Sequence, residues 1–295
     1  TAFASSTSRR RTRPWEKLRL PKRLGTRIGA EARSPEPFAM ANPLWTYDRK
    51  AAKGLPGIVG VDEAGRGCLA GPVVAGATLL PADFFSKAAN RRKCAEVNDS
   101  KQLDQAKREK LYEILESLMQ AGELWFATGE ASVAEIEREN IVGGTCLAMG
   151  RAMDALVEVC GGLWKPRGKD DLAEGLFATE GAASEAYWLV LVDGRPMKRL
   201  PYLHEGLVKG DTLSLSVAMA SIAAKVTRDR LMARMAERYP EYDFASNKGY
   251  GAPKHLRALR ELGPTPDHRP RFLRKILGEP EDLPENPPQT LLSFD

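Results

Sequence analysis

The amino-acid sequence predicts an α/β fold, in which a β-sheet is flanked by α-helices. Apolar runs of strand length alternate along the chain with segments of helical periodicity, and the two clearest runs each end in a carboxylate, Asp62 and Asp193. The chain has 295 residues, of which 43% are hydrophobic and 28% charged, as in an ordinary globular protein. That length suffices for one large domain with appendages or for two small domains.

The first predicted elements are two strands, over 58–62 and 73–80, joined by a glycine-rich loop. The first strand is rich in β-branched residues and ends in Asp62 and Glu63, which are costly to bury unless something compensates their charge. In the loop, Gly65-Arg66-Gly67 would let backbone N–H groups approach a ligand closely, with one cation in reach. The alternative is a surface hairpin whose Asp and Glu are solvated turn residues.

The later elements follow from hydrophobic periodicity. The pattern predicts helices over about 105–121, 140–160, 212–237 and 253–262, and strands over 124–129 and 188–194. Asp211 falls where the N-cap of the helix over 212–237 is favoured. Residues 161–186 are rich in Gly, Ala, Lys and Asp with little periodicity, which predicts an inserted surface loop.

Charge divides the chain into a basic extension (residues 1–54), a folded body (55–278) and a proline- and acid-rich tail (279–295) that we expect to be disordered. Residues 1–50 carry 12 Lys/Arg against 4 Asp/Glu, whereas the remainder carries 32 against 35. The body therefore cannot bind duplex nucleic acid by bulk charge and must use local basic patches. The extension has the composition of a transit peptide. A disordered basic arm that touches nucleic acid, or upstream sequence preceding a true start at Met40, are the alternatives.

Cysteine usage and hydropathy favour an intracellular, reducing location. The four cysteines lack C-x-x-C spacing and His pairing, so the pattern indicates neither zinc nor redox chemistry nor disulfides, and Cys146 and Cys160 fall on the apolar stripe of a predicted helix. No apolar run reaches the roughly 18 residues that a membrane span requires. We expect a monomer without membrane contact, in a mitochondrion or plastid if the extension is a transit peptide and otherwise in the cytoplasm.

Four carboxylates form the strongest candidate site. In open α/β folds, functional residues gather beyond the carboxyl ends of the strands, where Asp62, Glu63, Asp193 and Asp211 would meet. Carboxylates so placed repel one another unless divalent cations lie between them, and hard oxygen ligands select Mg²⁺ or Mn²⁺. Two such ions would suit phosphodiester hydrolysis. The alternatives are that Asp193 belongs to a hairpin turn and that Asp211 is only a helix cap.

The motifs of the chain resemble those of a known family. The segments GVDEAGRGCLAGPVV, NDSKQL, LVDG, KGD, ASIAAKVTRDR, NKGYG, HLRAL and GPTPDHR are similar in type and order to ribonuclease HII of the bacterial type. The resemblance spans about 57–275 and breaks only at 161–186. It implies a ribonuclease H-like mixed β-sheet flanked by α-helices, with a C-terminal helical extension.

The resemblance also implies an activity and a set of site residues. It implies an endoribonuclease that cuts the phosphodiester 5′ to a ribonucleotide in RNA–DNA hybrids or embedded singly in duplex DNA, leaving a 3′-hydroxyl and a 5′-phosphate. The four carboxylates would hold two Mg²⁺ or Mn²⁺ ions, and Gly65-Arg66-Gly67 would recognise the ribose 2′-hydroxyl, the group that marks RNA. Tyr250 would stack on the following deoxyribose.

Three further cations are candidate phosphate contacts, namely Lys101, Lys225 and Arg228, each of which could instead lie on a solvated face. Cys68 departs from the pattern, since the family usually has Pro there. The tail segment Gln289-Thr290-Leu291-Leu292-Ser293-Phe294 resembles peptides that dock on sliding clamps. A ribonuclease HIII-like nuclease and a non-catalytic protein that binds RNA–DNA hybrids are the alternative functions.

Overall fold

The structure, a computed structural model, describes residues 42–169 and 187–277. The extension up to residue 41, most of the predicted insertion and the tail with its clamp-like segment lie outside the described residues. The strands are β1 (Gly57–Ala64), β2 (Val73–Pro81), β3 (Trp125–Ala131), β4 (Leu189–Asp193) and β5 (Glu205–Leu207). The α-helices are α1 (Pro43–Ala51), α2 (Ala88–Lys93), α3 (Gln105–Gln120), α4 (Val133–Val159), α5 (Leu215–Arg238), α6 (Phe244–Asn247), α7 (Pro253–Leu262) and α8 (Pro270–Leu277). Short 3-10 turns cover Ala82–Ser86, Ser100–Gln102, Gly210–Thr212 and Pro240–Tyr242.

The five strands form one mixed sheet in the order β3-β2-β1-β4-β5. Strand β2 is antiparallel to both of its neighbours, whereas β4 is parallel to β1 and to β5. The parallel register pairs Ile58 with Leu189 and Val61 with Val192. Because Val61 pairs with Val192, the next residues along, Asp62 and Asp193, lie side by side on adjacent strands near the same edge of the sheet. The mixed sheet with flanking helices confirms the predicted fold class.

Alternate residues of β1 face two different layers, as the period of a strand requires. Ile58 packs in the cluster built around α5, while Val59 and Val61 pack in the cluster built around α4. Helix α5 lies unusually close to the sheet: a Cβ on Gly60 would lie 2.2 Å from the carbonyl carbon of Ser216. The many small residues of α5 are explained by this close approach.

The folded body begins before residue 55, which corrects the predicted boundary of the extension. Helix α1 starts at Asn42, whose side chain caps it and also donates to the carbonyl of Val97 at 2.9 Å. Leu44 and Trp45 are buried in the core, and Asp48 Oδ2 accepts a hydrogen bond from the Ser216 amide at 2.7 Å. Helix α1 has only nine residues, too few for a hydrophobic period to stand out in the sequence.

Two further boundaries differ from the prediction. The helix predicted over about 140–160 is confirmed by the part of α4 that follows Asn140, which has φ 59° and ψ 174° and accepts from the amides of Val142 and Gly143. A helical segment that was not predicted precedes it from Val133, with a capping box at Ser132. The start of the predicted surface insertion is part of the fold, because Trp164 is 2% exposed and Lys169 donates its amide hydrogen to the Pro201 carbonyl.

A third apolar cluster forms the C-terminal helical extension and packs against the loop that follows β1. Leu69 and Ala70 of that loop are buried with Tyr242 and Phe244 of the extension. The extension therefore holds the glycine-rich loop next to Tyr250. All four cysteines are buried and unpaired. Within the described ranges, no helix has the length and apolar character needed to cross a membrane.

Candidate active site

Three carboxylates converge at the carboxyl edge of the parallel strands. Asp62 lies in β1, Asp193 ends β4, and Asp211 lies in the 3-10 turn Gly210–Thr212 that precedes α5. One oxygen from each lies within 4.8 Å of the others, and Asp62 and Asp211 are 3% and 4% exposed. At this separation, three buried or half-buried carboxylates could hold a hard divalent cation.

Backbone amides orient two of the three carboxylates. The amide of Glu63 donates to Asp62 Oδ1 at 2.7 Å, and the amide of Gly210 donates to Asp193 Oδ1 at 2.6 Å. Asp211 is not the N-cap of α5, which corrects the prediction: Ser214 caps that helix by accepting from the amide of Val217. Asp211 is therefore free of a capping role and directs its carboxylate into the cluster.

Glu63, the fourth predicted ligand, does not join the three-carboxylate cluster. Its Oε1 accepts from Arg66 Nη1 at 3.3 Å across the turn after β1. Its side chain is 14% exposed, at the border of the site. Neighbouring strand residues point to opposite faces, which keeps Glu63 out of the three-carboxylate cluster although it stays close enough to raise the pKa of Asp62.

Asp62, Asp193 and the neighbouring Glu63 hold their protons more tightly than ordinary carboxyl groups do. Burial, with repulsion from Glu63 and Asp193, raises the pKa of Asp62 well above its usual value. Burial and the nearby charge of Asp211 raise the pKa of Asp193, although its hydrogen bond from Gly210 acts against this. Burial also raises the pKa of Glu63, against the effect of Arg66. A bound cation would relieve this repulsion, so the site is poised to exchange protons for metal.

Lys101 lies at the cluster and pairs with one of its carboxylates. Its Nζ is 2.8 Å from Asp211 Oδ2, and this hydrogen bond raises the pKa of Lys101. The loop that carries Lys101 is fixed from two sides. Arg108 Nη1 donates to the Ser100 carbonyl at 3.0 Å, and the Ser100 hydroxyl is 2.9 Å from that of Ser221.

The two glycines of the Gly65-Arg66-Gly67 loop differ in whether the fold requires a glycine there. Gly65 has φ +87°, and a Cβ there would lie 1.9 Å from Arg228 Nε, so only glycine fits. Gly67 has no positive φ, and a Cβ on it would meet nothing within 4 Å. Packing therefore accounts for the first glycine, while the second faces open space where a ligand could approach the backbone.

Arg228 is not placed as a phosphate contact, which corrects the prediction. Its side chain is 1% exposed, and its guanidinium donates to the carbonyls of Pro72, Lys248 and Ala70 at 2.8–3.0 Å. Arg228 instead supports the glycine loop from inside the protein. Lys225 is 22% exposed and lies 2.5 Å from Asp229 Oδ1, so it reaches the surface only in part.

Tyr250 lies beside the glycine loop with 47% of its surface exposed. Leu69 donates its amide hydrogen to the Gly249 carbonyl at 2.8 Å, which fixes the two segments to each other. Burial of its inner part, and then the neighbouring thiol of Cys68, raise the pKa of the Tyr250 hydroxyl. The amide of Cys68 donates to the Gly65 carbonyl, a bond that the proline usual in the family could not make.

Three buried residues that support the loop have no local signal in the sequence. Arg269 is 1% exposed and donates to the Gly71 carbonyl through Nε and Nη2 and to the Arg66 carbonyl through Nη1. His255 and His268 are buried and hydrogen-bonded to each other, Nε2 to Nε2, at 2.9 Å. The sequence marks these three residues only through the family-like motifs: His255 opens HLRAL, and His268 and Arg269 close GPTPDHR.

Comparison with known proteins shows which family has this arrangement. The family model described as Ribonuclease HII matches residues 59–157 and 197–276. A protein of Fusobacterium nucleatum subsp. nucleatum named Ribonuclease HII is 40% identical over 246 residues, covering 82% of this chain and 96% of that protein. One of Geobacter sulfurreducens with the same name is 39% identical over 239 residues, covering 80% and 92%. The solved ribonuclease H2 from Pyrococcus horikoshii OT3 is 24% identical, with a TM-score of 0.46 and coverage of 74% and 96%. The extent of the family match and the identity to these relatives show that the chain belongs to the ribonuclease HII family.

Proposed function

We propose that this chain cuts the phosphodiester bond 5′ to a ribonucleotide, in RNA–DNA hybrids and at single ribonucleotides embedded in duplex DNA. Family membership makes it an endoribonuclease of the ribonuclease H type, acting on RNA paired with DNA. The position of the cut, the 3′-hydroxyl and 5′-phosphate products and the residue roles are the finer proposal. The convergence of Asp62, Asp193 and Asp211 within 4.8 Å is the observation that carries it.

The donor set of the site fits Mg²⁺ or Mn²⁺. Among the described residues the group consists of carboxylates alone, which are hard oxygen ligands. Burial and mutual repulsion raise the pKa values of Asp62 and Asp193, and a cation removes the repulsion. Asp62, Asp193 and Asp211 would hold the metal, and Glu63, at the border of the cluster, would become the fourth ligand on leaving its ion pair with Arg66. The chemistry supplied by two bound ions is activation of water and stabilisation of the leaving oxygen.

The chain's own residues would prepare this site and select the substrate. Backbone amides hold Asp62 and Asp193 in place, so the site needs little reorganisation when substrate binds. The exposed Lys101 side chain would contribute positive charge near the scissile phosphate. The open backbone at Gly67 supports a role for the loop in reading the 2′-hydroxyl, and the half-exposed ring of Tyr250 supports stacking on the neighbouring sugar.

Nicking of duplex DNA that carries one ribonucleotide tests the proposal. We expect wild type to nick 5′ to the ribonucleotide with Mg²⁺ or Mn²⁺ and to stop when a chelator is added. Asp62→Asn and Asp193→Asn should each lower the rate by more than about 100-fold, since even residues that only orient metal ligands contribute 10–100-fold. Asp83→Asn is the matched control, because that carboxylate is 68% exposed and lies beyond the other end of β2.

Each alternative has its own outcome in this experiment. Activity that survives the chelator would overturn the metal-dependent mechanism. Tight binding of the hybrid without any cut, with either metal, would indicate the non-catalytic binding protein. Cutting of long hybrids alone would remove single ribonucleotides from the proposed substrates.

The clamp contact is a separate proposal that rests on the tail segment Gln289-Thr290-Leu291-Leu292-Ser293-Phe294. Its likeness to clamp-docking peptides is the support, and it lies outside the described residues. Truncation at Pro287 should abolish binding to a sliding clamp while leaving nicking of free duplex unchanged. An intact chain that does not bind a clamp would refute this contact.

A further inference from the structure

We propose that His255 is a positioning residue for Tyr250 and thereby sets the selectivity for the ribonucleotide junction. His255 Nδ1 lies 2.8 Å from the Tyr250 carbonyl oxygen, and its Nε2 lies 2.9 Å from Nε2 of His268. The inference rests on the proposed function, because it takes Tyr250 as the residue that meets the sugar next to the ribonucleotide.

The segment around Tyr250 needs external anchors to hold its shape. Lys248 and Gly249 both have positive φ, 52° and 83°, and Gly251 follows the tyrosine. The glycines on both sides of Tyr250 add backbone freedom and the left-handed Lys248 is strained, so contacts from outside the segment must hold this conformation. Among the described side chains, His255 is the one that donates to the Tyr250 carbonyl, where the Ala252 amide also donates at 2.8 Å.

Hydrogen-bond chemistry allows one arrangement of protons along this chain of groups. A carbonyl only accepts, so His255 Nδ1 carries the hydrogen and its Nε2 is the acceptor. Nε2 of His268 must then be the donor, which leaves its Nδ1 to accept from the Thr265 amide at 2.9 Å. Every nitrogen is satisfied with both rings neutral, and the bond from His268 fixes the tautomer in which His255 donates to Tyr250.

His268, at the far end of these hydrogen bonds, is held against the glycine loop. His268 pairs with Ala70 in an isolated β-bridge, and the amide of Arg269 donates to the Leu69 carbonyl at 2.8 Å. The His255–His268 bond therefore connects the two proposed recognition elements, the aromatic ring and the glycine loop. The Leu69–Gly249 bond and the Arg228 guanidinium also join these elements, and the histidine pair adds the link that ends on the Tyr250 carbonyl itself.

Two amide substitutions at His255 separate its two hydrogen bonds. His255→Asn places an amide nitrogen where Nδ1 was and keeps the donor to Tyr250, whereas His255→Gln places the amide near the former Nε2 and keeps the contact with His268. We expect His255→Gln to lower kcat/KM on duplex DNA with one ribonucleotide by about tenfold and His255→Asn by less than about threefold. Tyr242→Phe is the matched control. The Tyr242 ring packs edge-on against His255, and the substitution removes a different buried hydrogen bond, that from the Tyr242 hydroxyl to the Gly263 carbonyl.

A double-mutant cycle with Tyr250→Ala decides the inference. If His255 acts through Tyr250, His255→Gln should change kcat/KM by less than about twofold in the Tyr250→Ala background. The same tenfold loss in both backgrounds, or equal losses for the Asn and Gln variants, would overturn the inference while the proposed function stands. A wild-type chain that leaves the ribonucleotide-containing duplex intact would overturn both. Thermal unfolding of each variant identifies a loss that is due only to misfolding.

Discussion

Arg228 occupies the space that any side chain on Gly65 would need. Its Nε would lie 1.9 Å from a Cβ placed on that glycine, and Gly65 itself has φ +87°. The Arg228 side chain on α5 and Gly65 in the glycine-rich loop thus fit each other in shape. The same guanidinium donates to the Ala70 and Pro72 carbonyls, so the loop is built around it.

Replacing the two loop glycines by alanine should have opposite kinds of effect. Gly65→Ala meets both the positive φ and Arg228, and should lower the free energy of unfolding by more than about 2 kcal/mol. Gly67→Ala enters open space and should change it by less than about 0.5 kcal/mol, yet weaken nicking because the methyl group blocks close approach of substrate. Denaturant unfolding and nicking kinetics of both variants check this. Full activity of Gly67→Ala would show that the backbone at Gly67 does not read the ribose 2′-hydroxyl.

Much of the site could be predicted because strand ends and glycine patterns are local signals. Apolar runs ending in Asp62 and Asp193 predict adjacent carboxylates once the strands are parallel, since a parallel register brings equivalent ends to one edge. Asp211 followed from the same reasoning about the start of the next helix, although its capping role did not hold. The match in type and order to the motifs of ribonuclease HII supported placing these residues in one site.

The remaining features depend on which surfaces meet, and a single sequence carries little of that information. The sequence of a helix does not show whether a charged side chain faces water or backbone carbonyls. For this reason the sequence predicts a phosphate contact at Arg228, which is buried in the structure. Arg269 and the two histidines act across segments that are distant in the chain, such as Gly71 with Arg269. Helix α1 is stable through its contacts with α5 rather than through its own periodicity.

Substitution of Arg228 should lower stability, whereas substitution of Lys225 should weaken nucleic-acid binding. Arg228→Gln leaves carbonyls without donors and should destabilise the fold by about 3 kcal/mol or more, because each buried acceptor left unpaired costs about 1–3 kcal/mol. Lys225→Ala should cost little stability but reduce by about one the slope of log affinity against log salt, if Lys225 meets a phosphate. Chemical denaturation and salt titrations of hybrid binding measure the two effects. An unchanged salt slope would end the phosphate role of Lys225.

Asp62→Asn should abolish nicking and at the same time stabilise the metal-free protein at neutral and alkaline pH. The raised pKa of Asp62 means that the native state holds its proton more tightly than the unfolded chain does. Its contribution to stability is therefore full below the unfolded value of 3.8 and is lost as pH rises through the native value. Asparagine removes the charge and its repulsion with Glu63 and Asp193. Thermal unfolding from pH 5 to 8 in chelator should show a melting temperature that falls less steeply with pH in the variant.

Bound metal should remove the fall of the melting temperature at high pH in wild type but not in Asp62→Asn. Because protons and cations compete for the same oxygens, the Mn²⁺ affinity of wild type should rise from pH 5.5 to 8, and saturating Mn²⁺ should restore its melting temperature at pH 8. Calorimetric titration measures the affinity and the protons released. A Mn²⁺ affinity that does not vary with pH would contradict the assignment of Asp62 and Asp193 as ligands.

Two N-terminal truncations should locate the start of the folded body. Removing residues 1–41 deletes none of the contacts described above, so the denaturation midpoint should stay where it is. Removing residues 1–54 takes away the buried side chains of Leu44 and Trp45 and the bond from the Ser216 amide to Asp48. Burial of each large apolar side chain contributes about 1.5–3 kcal/mol, so the longer truncation should lose about 3 kcal/mol or more. Trp45→Ala in the shorter truncation provides the matched control and should reproduce most of that loss. Equal midpoints for the two truncations would return the boundary to residue 55 and would mean that α1 contributes no stability through its contacts with the core.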